Sequence, residues 1–252
     1  MSNRLRVAVL VCDTPIQPVL EQYGDYHAIF QALMKQGFKD LELSDEIDVE
    51  FSGYHVVNNP QFPELRDYDA LLMTGSKHDA WADDEWIVGL TSYVTSVFEA
   101  KKPVVGICFG HQILARALGA KVGRSEIGWE ISVEELNLTD TGKKLFGKNT
   151  LSIQQMHRDI VFDIPAGCTN LATSPICGVQ GLYLPQRVLS VQGHPEFHEG
   201  IMSSLLEVRH ASGLFNDGLY KDGLSRAGNP HDGRLIAKAM AKFIVEAQSS
   251  KS

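Results

Sequence analysis

No run of 18 apolar residues occurs in the 252-residue chain, and no block of lysine and arginine is longer than two. The first absence removes a membrane-spanning helix. The second, with 23 Lys and Arg against 31 Asp and Glu for a net charge of −8, argues against a nucleic-acid or anionic-membrane surface. The start, MSNRLRVAVLVCDTP, meets Asp13 and Pro15 before the apolar stretch and cleavage site of a secretory signal can form. A soluble, cytoplasmic chain is expected. Cysteine is scarce, and Cys12, Cys108, Cys168 and Cys177 include no C-x-x-C pair and no histidine at zinc-ligand spacing. Free thiols in a reducing compartment fit better than a disulfide framework. There is no internal repeat and no low-complexity segment. A composition of 44% apolar and 21% charged residues leaves an ordinary folded protein of one large domain or two small ones.

Residues 6–12 (RVAVLVC) form a nearly continuous apolar run, as expected of a strand covered on both faces. From Tyr26 to Phe38 the period changes: Tyr26, Ile29, Phe30, Leu33 and Met34 share one helical face, with Asp25 as N-cap and Gly37 as stop. Further strands are read at 47–51, 68–73 and 103–107, and helices at 84–102 and 112–118. This alternation predicts an open α/β sheet with helices on both faces. Short strands at 127–133, 151–156, 169–173, 179–184 and 188–192 are expected to extend the same sheet, partly antiparallel. A helix at 201–208, a Gly-rich loop at 211–228 and a last helix from Asp232 complete the chain. With no polar linker between the halves, one domain over 1–252 is expected, its core at about 6–206 and a helical extension at 207–252.

The chemistry concentrates in two places. In PVVGICFGHQILARALG (103–119), a strand runs into Gly106-Ile107-Cys108-Phe109-Gly110 and a helix leaves at once. That is the pattern of a nucleophile elbow, in which flanking glycines relieve the clash of a sharp turn. The helix N-terminus favours a thiolate, and the Phe109 N–H is placed to stabilise an oxyanion. A bare G-x-C-x-G reads first as a small buried cysteine. In VLSVQGHPEF (188–197), a strand ends at Gly193, and His194 and Glu196 lie on the same side of extended chain, with Pro195 holding His194 extended. A carboxylate beside an imidazole fixes its tautomer and stabilises its charged form. Alone, this reads first as a strand-end turn with a solvated His and Glu. Both segments sit at strand ends, where open α/β sheets build their sites, and together they favour a Cys108-His194-Glu196 triad.

GICFGHQ followed by QGHPE resembles the class I glutamine amidotransferase domain over roughly residues 6–206. The resemblance implies that family's flavodoxin-like fold, with a mostly parallel sheet, and neither cofactor nor metal. It implies that Cys108 attacks the carboxamide of glutamine, that His194 serves as base and then acid, and that Glu196 orients His194. The oxyanion loop of the family reads Gly-Gly-Pro; here LMTGSKHDA (72–80) puts Gly75 and Ser76 at the glycine positions and Lys77 at the proline. Ser76 N–H would then be the second oxyanion donor, beside Phe109. Gln112 matches a substrate-contacting glutamine, and 155–159 (QMHRD) matches the strand end that meets the substrate's α-amino and α-carboxylate groups, with His157 and Arg158 as the candidates there.

No Ser-Gly-Gly-Val-Asp-Ser signature of an ATP pyrophosphatase follows, so no complete GMP synthetase is expected. TGSKHDA with GICFGHQ looks like a stand-alone branch that includes plant γ-glutamyl peptidases and fungal amidotransferase-like proteins. The resemblance thus implies a hydrolase of glutamine or a γ-glutamyl peptide. Its alternatives are a glutaminase subunit feeding ammonia to a separate synthase, and a binding module that keeps the fold without the chemistry.

Overall fold

Strand β1 (Asn3–Val11) sets the architecture through its alternation. Val7, Val9 and Val11 point into one apolar core, and Ala8, Leu10 and the following Cys12 into another on the opposite face. The computed structural model describes residues 3–42, 47–57 and 60–249; the ends of the expected 1–252 unit lie outside the described residues. In chain order follow α1 (Gln17–Tyr23), α2 (Tyr26–Asp40), β2 (Ile47–His55), β3 (Ala70–Met73), α3 (Glu85–Glu99), β4 (Val104–Ile107), α4 (Phe109–Ala117), β5 (Val122–Arg124), β6 (Glu130–Leu138), α5 (Asp140–Phe146), β7 (Thr150–His157), β8 (Asp159–Val161), β9 (Thr169–Asn170), β10 (Ala172–Thr173), β11 (Gly181–Leu184), β12 (Val188–Val191), α6 (Glu199–Ala211), α7 (Asp217–Ala227) and α8 (Gly233–Ser249). No helix among the described residues is long and apolar enough to cross a membrane.

The main sheet has the order β2-β1-β3-β4-β12-β11-β9. From β2 to β12 all neighbours pair in parallel, and β11 runs antiparallel to β12 and β9. Helices α2 and α8 cover one face, α3 and α4 the other. The expected α/β sheet with helices on both faces is therefore present. Its order reverses between β1 and β3, the switch point outside whose carboxyl ends such sheets bind ligands.

Several local expectations change. The short strands do not all join this sheet: β10, β6 and β7 form a separate three-stranded sheet, and β5 pairs only with β8. The expected strand at 169–173 splits at Leu171, with one half entering each sheet. Gly37 does not stop α2. It lies inside the helix, where a Cβ would come 2.4 Å from the Ala237 carbonyl oxygen, so it lets α2 and α8 approach. The expected loop at 211–228 holds α7, capped by the Asn216 side chain accepting from Leu219 N–H at 2.9 Å. Gly223 sits within α7 because a Cβ there would press on Ile131 and Leu206 at 2.8 Å.

Candidate active site

Three adjacent parallel strands carry the expected site residues to one edge of the sheet. Met73 of β3 is level with Gly106 of β4, and Ile107 of β4 with Val191 of β12. The loops that follow therefore place Gly75 and Ser76, Cys108 and Phe109, and His194 and Glu196 side by side. A cavity of about 640 Å³ opens over these ends, and Ser76, Cys108, Gln112, His157, Arg158 and His194 all line it.

The β4–α4 junction is an elbow. Cys108 has φ +50° and ψ −103°, in the positive-φ region that side chains rarely adopt, and α4 begins at the next residue. The turn closes because its neighbours are glycines: a Cβ on Gly106 would meet the Gly110 carbonyl oxygen at 2.6 Å, and one on Gly110 the Met73 carbonyl oxygen at 2.6 Å. Phe109 buries its ring against Trp86, with centroids 5.7 Å apart, which anchors the first turn while its N–H is among the unpaired donors at the helix start. Helix α4 thus begins earlier than the expected residue 112.

Beyond β12, the His194 N–H donates to the Gln154 carbonyl at 2.7 Å. Its Nδ1 lies 2.7 Å from Glu196 Oε1, and its ring stacks on Phe197 at 4.1 Å and 2°. Glu196 is wholly buried in its side chain, and its Oε2 has no hydrogen-bond partner among the described residues. Burial opposes a charge on His194, but the Glu196 carboxylate and negative charge on Cys108 overcome it and push the imidazole up to about 10. Gly75 is required here by proximity: a Cβ would come 2.8 Å from His194 Cε1 and 3.7 Å from the Cys108 Cβ.

Burial pushes the Cys12 and Cys177 thiols each up to about 12 and raises Cys168 above its ordinary value. Gln112 lines the cavity and is tied by its Nε2, which donates to the Asp159 carbonyl at 2.8 Å and to Gln192 Oε1 at 3.1 Å. His157 has Nδ1 3.1 Å from the Asp159 carbonyl, while Nε2 lies 3.0 Å from Glu130 Oε2, off the line of a hydrogen bond. Arg158 donates from Nε to the Ser125 carbonyl at 3.4 Å.

Sequence reasoning missed Asp13. It accepts from Lys77 N–H, Lys77 Nζ and Thr14 N–H, each at 2.8 Å, and so clamps the Gly75–Lys77 loop to the end of β1. Its place just past the first strand, at the switch point, was the available signal. Tyr26, Trp129, Phe197 and Arg209 also line the cavity. They read as core or helix-end residues in sequence, and nothing in their spacing distinguishes them. Among the described residues, no three His, Cys, Asp or Glu gather as a metal site.

The model of the class-I glutamine amidotransferase family matches residues 27–208. The chain belongs to that family. A glutamine amidotransferase-like protein of Schizosaccharomyces pombe is 35% identical to it over 95% of this chain and 98% of that one. Gamma-glutamyl peptidase 5 of Arabidopsis thaliana is 32% identical over 82% of each. Among solved structures, a glutamine amidotransferase of Thermotoga maritima superposes with a TM-score of 0.71 at 19% identity, covering 96% of this chain and 98% of that one, a likeness of fold.

Proposed function

We propose that the protein hydrolyses γ-glutamyl amides, glutamine or γ-glutamyl peptides, through a thioester on Cys108. The observation that carries this reading is the His194 imidazole, held by Glu196 at 2.7 Å and facing the cavity beside an elbow cysteine. His194 holds the proton given up by Cys108, and the Cys108 thiolate bonds through Sγ to the γ-carbonyl carbon. The resulting oxyanion is met by the N–H groups of Phe109 and Ser76. The C–N bond then breaks, the proton passes from His194 to the leaving nitrogen, and a γ-glutamyl thioester remains. Water, deprotonated by His194, attacks the thioester, and glutamate and the free thiol return. Gln112, His157 and Arg158, which line the cavity, receive the glutamyl part, with Gly75 packed against His194 beside them. In this reading the chain works as one cytoplasmic domain, with α8 packed on α2 as part of it.

The test is release of glutamate, amine and ammonia from glutamine and from γ-glutamyl peptides. The native protein is expected to turn over, and Cys108→Ala to lose about 10⁴-fold or more. Equal release by the two would overturn the proposal. The alternative, a glutaminase subunit delivering ammonia to a synthase, predicts instead weak activity alone and a co-purifying partner. The fold likeness to a GMP synthase subunit of Thermoplasma acidophilum, with a TM-score of 0.63 at 18% identity, is what favours it.

A further inference from the structure

The cavity contains a cation that the hydrolysis as written does not use. Arg209 lies in the last turn of α6 and lines the cavity. Its guanidinium lies over the rings of Trp129 and Phe215, at 5.1 and 5.8 Å from their centroids. Among the described residues no carboxylate lies within ion-pair distance of it and no acceptor takes a hydrogen bond from it. The other lining cations are differently placed. Lys77 is paired with Asp13, Arg124 with Asp79 and Asp159, and Arg158 donates to the Ser125 carbonyl beside the β7–β8 turn.

Arg209 instead shares the cavity wall with Cys108, Tyr26 and Asp13. Asp13 is occupied by the loop it clamps. The Tyr26 hydroxyl has no hydrogen-bond partner among the described residues and also lines the cavity. Burial, then charge on Asp13 and Glu196, holds that phenol above its ordinary value, so it remains a neutral donor. Burial likewise draws the Arg209 guanidinium below its ordinary value. A half-buried cation with no counter-ion is unfavourable until an anion arrives, and a guanidinium fork suits a carboxylate. Around it, Val208 at 41% and Leu214 at 52% exposure form an apolar rim with Trp129 and Leu205.

Resting on the hydrolase reading above, we propose that Arg209 binds a carboxylate on the leaving amine. The preferred substrate is then a γ-glutamyl amide of an apolar α-amino acid, in preference to glutamine. Such a substrate has two carboxylates, one on its glutamyl end and one two bonds beyond the scissile nitrogen. Glutamine, which releases ammonia, has only the first. On the hydrolase reading Arg158 belongs to the glutamyl wall, and Arg209 lines the same cavity as Cys108, which leaves a separate cation for each carboxylate. The apolar rim receives the side chain of the leaving amino acid.

The experiment compares γ-glutamyl-phenylalanine with its C-terminal carboxamide, which keeps the ring and the scissile bond but loses the charge. For the native protein, kcat/KM is expected to favour the acid by about tenfold to a hundredfold, the range of a hydrogen bond to a charged group. In Arg209→Gln that ratio is expected to fall to about one, and in Arg209→Lys to an intermediate value. A native ratio near one overturns the inference without any variant, as does an unchanged ratio in Arg209→Gln. In both cases the hydrolase reading survives. If the native protein cleaves neither compound nor glutamine, the hydrolase reading itself fails, and this inference with it.

Discussion

Two acid–histidine pairs line or back the same cavity. Glu196 and His194 stand 2.7 Å apart, Glu130 and His157 3.0 Å, and all four side chains are buried. Their surroundings differ. His157 faces Glu130 across the antiparallel β6–β7 ladder, and its other nitrogen is taken by the Asp159 carbonyl. Glu130 accepts from Gln180 Nε2 at 2.7 Å, and Gln180 in turn accepts from Gln155, so the pair is the end of a polar network inside the small sheet. His194 instead projects from a strand end, with one nitrogen on Glu196 and a thiol beside its ring. On the hydrolase reading proposed above, the same two groups serve as a structural tie in one place and as a general base in the other. The neighbour decides which.

The largest effect that tests this contrast comes from matched substitutions. Glu196→Gln keeps the shape but removes the charge that holds the His194 tautomer, so kcat is expected to fall by about 10²- to 10⁴-fold with little change in Tm. Glu130→Gln is expected to do the reverse. Weakening a buried network at about 2 kcal/mol lowers Tm by roughly 4–8 °C in a chain of this size, while kcat changes less than about tenfold. Turnover and thermal unfolding measured on both variants settle the matter, and a Glu196→Gln protein that unfolds far earlier without a kinetic deficit would dissolve the distinction.

A smaller effect sharpens the His194 side alone. Gly75→Ala places a Cβ 2.8 Å from His194 Cε1, a contact that real side chains do not make. The ring must shift, and displacement of a reacting group by about 1 Å costs on the order of 10²-fold. Turnover near the native value in Gly75→Ala would show that the ring has room to move without consequence. His157 is tied differently, its Nδ1 to the Asp159 carbonyl, with Glu130 Oε2 3.0 Å from its Nε2.

The Cys108 elbow and the His194–Glu196 step were legible in sequence because each depends on local rules. Glycines at 106 and 110 have no role but close approach, and residues 194 and 196 share a side whatever the tertiary fold. The main sheet was legible for the same reason, since the run from Arg6 to Cys12 can be covered only on both faces. What was not legible depends on distant partners. Alternation shows that β6 and β7 are strands but not which sheet they enter. Gly37 and Gly223 read as breakers, yet each marks a place where two elements press together. Arg209 lies one residue beyond the helix expected at 201–208, and only the folded cavity shows that no carboxylate among the described residues pairs with it.

The smallest effect is the pH dependence of stability, and it contrasts His194 with a third buried histidine. His111 in α4 meets the Ser190 hydroxyl at 2.8 Å, and burial pushes its pKa down to about 3, whereas His194 stands at about 10. Their linkages have opposite sign. The contribution of His194 is full below about pH 6.5, the ordinary value, and is lost as pH rises toward 10. That of His111 is full above about 6.5 and is lost as pH falls toward 3. Tm measured against pH is therefore expected to decline on the alkaline side in the native protein and to flatten there in His194→Gln. His111→Asn should flatten only the acid side, and by less, because many carboxylates titrate in that range as well. An alkaline limb unchanged by His194→Gln would mean that Glu196 orients a neutral imidazole without stabilising a charged one, which would remove the electrostatic half of the contrast with His157 and leave only the geometric half.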